Sequence, residues 1–221
     1  MTLAHTLLEE AITTEGSGSP SLVIENQTFF RTLLQDISDQ IAGMNGSSVL
    51  SQGTRILPFP SYAELIDSYL GFSLNRRPLL TKITAELERE AIASEHYAET
   101  MALLSAWERH LANLSFSFPC SLLCTKLNAG SVWKAIGIEI EEDYEDPLEK
   151  ILDYMALVRE FDRDKLFVFV NLRSYFPDEK TELFLENVRD HGFQILLIDS
   201  QEHQRLPLER RVTIDCDLCE F

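Results

Sequence analysis

The spacing of apolar residues near the N-terminus predicts a strand followed by a helix. Leu22-Val-Ile24 is a short apolar run typical of a strand. After it, apolar residues recur at helical spacing, which predicts an amphipathic helix from about Gln27 to Ile41. These residues are Phe29, Phe30, Leu33, Leu34 and Ile37. The stretch 43–53 is polar and rich in Gly and Ser, and it predicts a surface loop.

The middle of the chain is predicted to be helical. Ser61 and Glu64 have the spacing of a capping box, so a helix is predicted to begin there and to stop at Gly71. Pro78 suits the first turn of a further helix, with Asn75 as its cap.

This further helix is predicted to be long, because neither Gly nor Pro occurs from residue 79 to residue 112. A straight helix of ~35 residues spans ~50 Å, which exceeds the width of a small domain. Two outcomes stay open: the chain folds back near Ser94–Tyr97, or the helices project as an arm.

After Gly137 the pattern changes to alternating strands and helices. The unbroken apolar run Leu166–Val170 is typical of a strand covered on both faces. Strands are also predicted at Ile138–Glu141, Phe193–Ile198 and Val212–Ile214, and helices from Asp146 to about Glu160 and from Asp178 to His191. This alternation predicts a parallel sheet with right-handed crossovers. The fold class is therefore α/β: residues 1–60 and 137–221 are predicted to form an α/β head, and residues 61–136 an inserted α-helical leg.

The charge distribution is strongly acidic but uneven. The formal net charge is −17, which by itself favours repulsion from DNA and from anionic membranes. Residues 1–60 hold 6 acids and 2 bases, and residues 137–221 hold 22 acids and 10 bases. Residues 61–136, with 8 acids and 7 bases, are nearly neutral.

Two stretches of this middle region contain no carboxylate. Residues 68–85 carry Arg76, Arg77 and Lys82, and residues 109–138 carry Arg109, Lys126 and Lys134. Two interpretations stay open: the stretches form a DNA-binding face, or they are buried or packed between subunits.

Membrane insertion and secretion are not indicated. No window approaches the ~18 uninterrupted apolar residues of a membrane helix. The first ten residues place Glu9 and Glu10 where a signal peptide needs apolar residues. A cytoplasmic protein is therefore expected.

The motifs of nucleotide enzymes are missing, although a parallel α/β core raises that possibility. A phosphate loop needs the pattern Gly-x-x-x-x-Gly-Lys-Ser/Thr, and the chain contains no Gly-Lys pair. Asn171 follows the Leu166–Val170 run, where such enzymes hold a magnesium-binding Asp, and Asp199 is interpreted as a cap or turn residue. We expect no enzymatic activity and no nucleotide cofactor.

Two groups of residues have the chemistry of metal ligands. Cys120, Cys124, Cys216 and Cys219 could share a zinc ion, or they are four reduced thiols. Residues 139–146 hold six carboxylates, whose oxygens could bind calcium, although an acidic run is more often a solvated surface.

Several segments in order resemble the accessory spacer-acquisition protein of type II-A CRISPR–Cas systems, a small ring-forming family. Lys165-Leu-Phe-Val-Phe-Val-Asn171, with the helix and strand after it, is the closest match. The segment 6–12 resembles the family's opening strand. The other similar segments are Leu22–Glu25, Ala63–Phe72, Leu79–Glu90 and Trp133–Ile138.

The resemblance implies a parallel-sheet head topologically related to P-loop NTPases but lacking the phosphate loop, and a long α-helical leg. It implies a homotetramer that closes a ring around double-stranded DNA and binds DNA ends. Its implied partners are the integrase pair and the RNA-guided nuclease of the same operon. Family DNA contacts are basic residues lining the hole. The two stretches without carboxylates offer Arg76, Arg77, Lys82, Lys126 and Lys134 as candidates.

Calcium is also implied by the resemblance, but one departure affects it. The family places an acidic, calcium-holding loop before the segment that matches Trp133–Ile138, and residues 113–126 contain no carboxylate here. The remaining candidate ligands are Glu139, Glu141, Glu142 and Asp143. The alternative function is an acidic protein-interaction module, or DNA mimic, that binds DNA-handling proteins.

Overall fold

The structure is a computed structural model that describes residues 1–120, 122, 127–162 and 164–221. The chain divides into two compact units. The head comprises Met1–Phe72 and Tyr144–Phe221, and the helical unit comprises Ser73–Asp143. Both boundaries lie C-terminal to the predicted ones. One reason is that the segment after residue 60 contributes a strand to the head.

The secondary structure follows the chain as strands β1–β9 and helices α1–α7. The N-terminal part of the head contains β1 (Thr2–Ala4), β2 (Ile12–Thr13), β3 (Ser19–Ile24), α1 (Gln27–Ile41), β4 (Val49–Gln52), β5 (Arg55–Leu57), α2 (Phe59–Tyr62) and β6 (Ala63–Ile66). The helical unit contains α3 (Arg77–Ala91), α4 (Tyr97–Ser115) and α5 (Ala129–Ile136). The head continues with α6 (Pro147–Phe161), β7 (Leu166–Val170), a 3-10 turn at Leu172–Ser174, α7 (Asp178–His191), β8 (Gln194–Asp199) and β9 (Glu209–Ile214).

A parallel sheet forms the core of the head. Within the described residues it has five strands in the order β6-β7-β8-β3-β9, and every neighbouring pair is parallel. All five residues of β7 are buried, and Phe169 packs edge-to-face on Phe184 of α7 at 5.4 Å between ring centroids. The predicted mixed α/β class with a parallel sheet is confirmed.

A second, antiparallel sheet of the head was not predicted. Its described strands pair in the order β2-β1-β4-β5. The predicted loop at 43–53 is therefore wrong in part, because it contains β4. The expected opening strand at 6–12 is wrong as well: β1 ends at Ala4, and the exposed Glu9 and Glu10 occupy the connection to β2.

The helix predicted from Ser61 to Gly71 is wrong. Only a single turn, α2, forms, and the next residues form β6. Ala63 pairs with Leu166 and Ile66 with Phe169 of β7, and Ile66 is 1% exposed. A cap contributes about 1 kcal/mol, so long-range strand pairing and burial outweigh it.

In the helical unit, the long helix predicted after Pro78 is divided into two helices. α3 ends at Ala91 and α4 begins at Tyr97, with His96 as its N-cap. The strand predicted at Ile138–Glu141 is wrong, because the backbone of Ile140 bonds to a side chain and not to a strand. No helix in the described part of the chain combines the length and apolar character that a bilayer-spanning segment requires.

Candidate nucleic-acid interface

The N-terminus of α3 positions two of the predicted basic residues. Arg76 is the N-cap and its backbone carbonyl accepts a hydrogen bond from Leu80 N at 3.0 Å. Arg77 is the first helical residue and is exposed, and Pro78 follows it in the first turn. Asn75 was predicted to be the cap. That prediction is wrong, because its side chain bonds to the backbone of Ile140 instead.

Glu142 anchors the segment that leads into α3. Its Oε1 accepts hydrogen bonds from Ser73 Oγ at 2.6 Å and from Leu74 N at 2.7 Å. The same oxygen accepts bonds from Asn75 N at 3.1 Å and from Asn75 Nδ2 at 2.9 Å. A carboxylate in this arrangement fixes the backbone directly before Arg76, so Glu142 has a structural role within the helical unit.

Lys134 is positioned by a helix with well-defined ends. Asn128 and Ser131 form a reciprocal capping box at the start of α5: Ser131 N donates to Asn128 Oδ1 at 2.8 Å, and Asn128 N donates to Ser131 Oγ at 3.0 Å. Gly137, with φ 75°, ends the helix in the left-handed conformation. Lys134 is exposed in the last turn, where the helix dipole favours a cation.

Arg77 and Lys134 line one groove between α3 and α5, with a volume of about 370 Å³. Thr81, Thr84 and Glu88 also line it, together with Asn75, Leu80 and Ala85. The helices approach closely at one end, where an added Cβ on Gly130 would lie 2.5 Å from the Glu88 carboxylate. Among the described residues that line the groove, Glu88 is acidic and Arg77 and Lys134 are basic.

The other predicted cations are distributed differently. Lys82 is five residues after Arg77, about 140° around the helix, so it lies away from the groove. Arg76 is half-buried at the helix cap. Lys126 lies outside the described residues. The structure therefore brings Arg77 and Lys134 together and leaves Lys82 on another face.

Sequence reasoning missed the roles of Asn75 and Glu88, which line the groove, and of Gly130, which lies against Glu88. The partners of Asn75 lie 65 and 67 residues away in the sequence, so no local pattern reveals them. Gly130, by contrast, lies inside the Asn128–Ser131 capping box and could have been recognised as part of a helix start.

Most of the negative charge belongs to the head. The helical unit, Ser73–Asp143, holds 10 acidic and 7 basic residues, so its formal charge is −3. The remaining −14 of the chain's −17 lies in the head. The helical unit is thus the part of the molecule where a polyanion meets the least repulsion.

The candidate metal ligands are not gathered into a site. Among the described residues, no group of three or more His, Cys, Asp or Glu side chains is placed to hold a metal ion. Glu139, Glu141 and Asp143 are exposed, and Glu142 is engaged with residues 73–75. The described residues of one chain therefore do not fit a calcium ion. Cys120, Cys216 and Cys219 are exposed free thiols, and Cys124 lies outside the described residues.

At the carboxyl end of the parallel sheet, where α/β proteins bind ligands, the connections after β3 and β7 are held by local hydrogen bonds. Only Glu25 and Asn26 connect β3 to α1, and Asn26 Oδ1 accepts a hydrogen bond from Phe29 N at 2.9 Å. After β7, Asn171 adopts a left-handed conformation (φ 52°), and its Oδ1 accepts bonds from Ser200 N at 2.8 Å and Ser200 Oγ at 2.9 Å.

A buried ionic network joins Arg173, which follows β7, to Glu209 at the start of β9. Arg173 donates to Glu209 Oε2 at 3.1 Å, and Arg211 donates to the same oxygen at 2.8 Å. Asp199, 2% exposed, ends β8, and its Oδ1 makes no hydrogen bond within the described residues. Burial, together with the negative charge of Glu209, raises the pKa of the Asp199 carboxyl to about 7. Burial also raises the pKa of the Tyr69 phenol, and the negative charge of Asp199 raises it further.

Comparison with known protein families shows which family the chain belongs to. Residues 40–218 match the sequence model of the CRISPR-associated protein family Cas_Csn2. The chain belongs to the CRISPR-associated Csn2 family of type II-A systems. The Csn2 match covers all of the helical unit and most of the head, so it includes the groove with Arg77 and Lys134. No individual curated protein matches this Csn2 chain. The family resemblance expected from the sequence is confirmed.

Proposed function

We propose that this protein binds double-stranded DNA, including its ends, as a homotetrameric ring. In this proposal it acts in the cytoplasm during CRISPR spacer acquisition, together with the integrase pair and the RNA-guided nuclease of its operon. Membership of the Csn2 family supports a CRISPR-associated role. The observation that carries the DNA-binding part is the groove that Arg77 and Lys134 line on the least acidic unit of the chain.

The groove has the chemistry of a phosphate contact. Arg77 presents a planar guanidinium that can bind a phosphate through two hydrogen bonds, and Lys134 adds a second positive charge to the lining of the same groove. Thr81 and Thr84 donate their hydroxyl protons to backbone carbonyls of α3, at 2.8 and 2.7 Å, so these protons are already used within the helix. Contacts of this kind are independent of DNA sequence.

The net charge of −17 is compatible with this function if cations from several subunits face the same duplex. At physiological salt the screening length is about 8 Å, so the acidic head affects a phosphate bound in the groove only weakly beyond that distance. A ring repeats the cation pair in each subunit, and the total charge of the chain then matters less than the local one.

The proposed function is non-enzymatic. A topological relation of the head to P-loop NTPases is part of the proposal, and the two-residue β3–α1 connection supports the loss of nucleotide binding. A phosphate loop spans about eight residues whose backbone amides surround the phosphates, whereas here the first turn of α1 is capped by Asn26. The non-enzymatic function would be contradicted by ATP hydrolysis that co-purifies with the chain and is lost in an unfolded variant.

The direct test is a mobility-shift assay on linear duplex and on covalently closed circular duplex, combined with native mass measurement. We expect a tetramer that binds the linear DNA and discriminates against the closed circle. The logarithm of the affinity should fall with the logarithm of the salt concentration at roughly −0.9 per phosphate contact. Equal affinity for both DNA forms would exclude loading from ends. Absence of any salt-sensitive binding would favour the acidic protein-interaction module.

A further inference from the structure

An apolar groove crosses the acidic surface of the head between α6 and α7. Its volume is about 290 Å³, and its apolar walls come from Leu148, Leu152, Leu183 and Phe184. Phe184 belongs to the core, but Leu183 is 60% exposed. The buried face of α7 consists of Thr181, Phe184, Leu185 and Val188. Folding therefore does not require an apolar side chain at position 183.

Carboxylates outnumber cations around this groove. Asp146 and Glu149 line it directly. Helical spacing places Asp153, four residues after Glu149, on the same side of α6, and places Glu186 and Asp190 beside Leu183 on α7. Tyr144 donates a hydrogen bond to Asp153 Oδ2 at 2.9 Å, which orients that carboxylate.

The cation of the groove is already neutralised. Lys180 is the basic residue among its described lining residues, and its Nζ lies 2.7 Å from Asp146 Oδ2. The hydrogen bond from Lys180 holds the pKa of the Asp146 carboxyl below its usual value. Arg189 is displaced by more than 100° from the groove residues of α7, but its Nη2 lies 2.8 Å from Asp190 Oδ1, so that pair carries no net charge. Lys150 is displaced by at least 100° from Leu148, Glu149 and Leu152 of α6.

We infer that the α6/α7 groove docks a positively charged segment of another protein, which inserts an apolar side chain against Leu183 and Leu152. Charge complementarity selects the occupant. A nucleic acid or an anionic membrane would place phosphates beside Glu149 and Asp153, and repulsion disfavours both. Proteins that handle nucleic acids carry basic surfaces, so a lysine- or arginine-rich segment with an apolar anchor fits both features.

This inference is independent of the DNA-binding role, because the groove lies wholly in the head and Arg77 and Lys134 lie in the helical unit. The two surfaces would allow one subunit to contact DNA and a basic protein without competition between phosphates and carboxylates. Without a separate docking surface, a basic partner and the helical unit would compete for the phosphates of the same duplex.

The test uses two fluorescent amphipathic peptides of equal length, one built of leucine and lysine and the other of leucine and glutamate. Binding to the full chain is measured by fluorescence anisotropy. The lysine peptide is expected to bind and the glutamate peptide is not. Leu183→Ala should weaken binding of the lysine peptide by about tenfold, and Glu149→Lys with Glu186→Lys by more.

Matched controls separate this groove from nonspecific attraction to an acidic protein. Leu70→Ala removes a leucine that is 82% exposed elsewhere on the head, and Glu10→Lys reverses an exposed charge in the connection between β1 and β2. Both should leave peptide binding unchanged, and Leu183→Ala should leave DNA mobility shifts unchanged. Equal losses in test and control variants, or equal binding of both peptides, would overturn the proposal. The proposal would also be overturned if Leu183→Ala changed the number of subunits seen by native mass measurement, because a second copy of the chain would then cover the groove.

Discussion

Asn75 and Ile140 exchange two hydrogen bonds across the base of the helical unit. Ile140 N donates to Asn75 Oδ1 at 2.6 Å, and Asn75 Nδ2 donates to Ile140 O at 2.9 Å. The pair joins the chain where it leads into α3 to the chain where it leaves the unit. Glu142 reinforces the junction from two residues further on. The orientation of Arg76 and Arg77 thus depends on residues far away in the sequence.

Asn75→Ala is expected to destabilise the helical unit by about 1–3 kcal/mol, since it removes both bonds to Ile140 and leaves backbone groups without partners. DNA affinity should fall as well, because Arg77 loses its fixed backbone. Hydrogen exchange measured by mass spectrometry would locate the loss in Ser73–Asp143. Asn113→Ala, an exposed position on α4, is the control. Equal exchange in the two variants would contradict the assigned role of Asn75.

Arg77→Glu combined with Lys134→Glu is expected to weaken DNA binding by about tenfold or more. The number of subunits in the assembly should not change. The reversal places carboxylates where phosphates are proposed to bind, and the slope of affinity against salt should become shallower. The control is Arg31→Glu with Arg205→Glu, which changes the net charge equally at exposed positions of the head. If both double variants lose the same affinity, the groove is not the binding site and only the total charge matters.

Asp199→Asn is expected to stabilise the head at and above pH 7. The folded-state pKa of about 7 lies above the unfolded value near 3.8, so the folded protein binds the extra proton between these pH values. Stability of the native chain should therefore fall as pH rises from about 4 to 7, by up to about 4 kcal/mol, since one pKa unit corresponds to about 1.36 kcal/mol. Urea unfolding from pH 4.5 to 8 measures this. The asparagine variant should show a flatter profile, unlike the exposed control Asp217→Asn.

Assembly is expected to be independent of calcium, because calcium prefers six to eight oxygen ligands and the described residues form no such cluster. Native mass measurement on chelator-stripped protein, alongside calcium calorimetry, tests this. Glu142→Gln should lower the stability of the helical unit even in chelator, whereas Glu141→Gln should not. If stripped protein falls to monomers or dimers and micromolar calcium restores the tetramer, the acids at 139–143 become the ligands to mutate.

Local patterns were sufficient wherever burial on one face of an element repeats along the chain. The predicted helices at Gln27–Ile41 and Asp178–His191 have the observed bounds, and the apolar run Leu166–Val170 is β7. A continuous apolar run or a complete amphipathic stripe has few alternative ways to bury its surface. The parallel sheet follows, since strands that alternate with helices can hardly pair otherwise.

Local patterns failed where a distant partner decides. The segment Ala63–Ile66 carries a helix-start signal, but β7 offers it hydrogen bonds and a buried edge, and Asn75 is a plausible cap until Ile140 is placed beside it. For the candidate interface, the sequence showed that the stretches 68–85 and 109–138, which contain Arg77 and Lys134, have no carboxylate. Their convergence on one groove depends on how α3 packs against α5 at Gly130. Composition and periodicity describe residues that are close together in the sequence. A functional site depends on distances between residues that only the folded structure brings together.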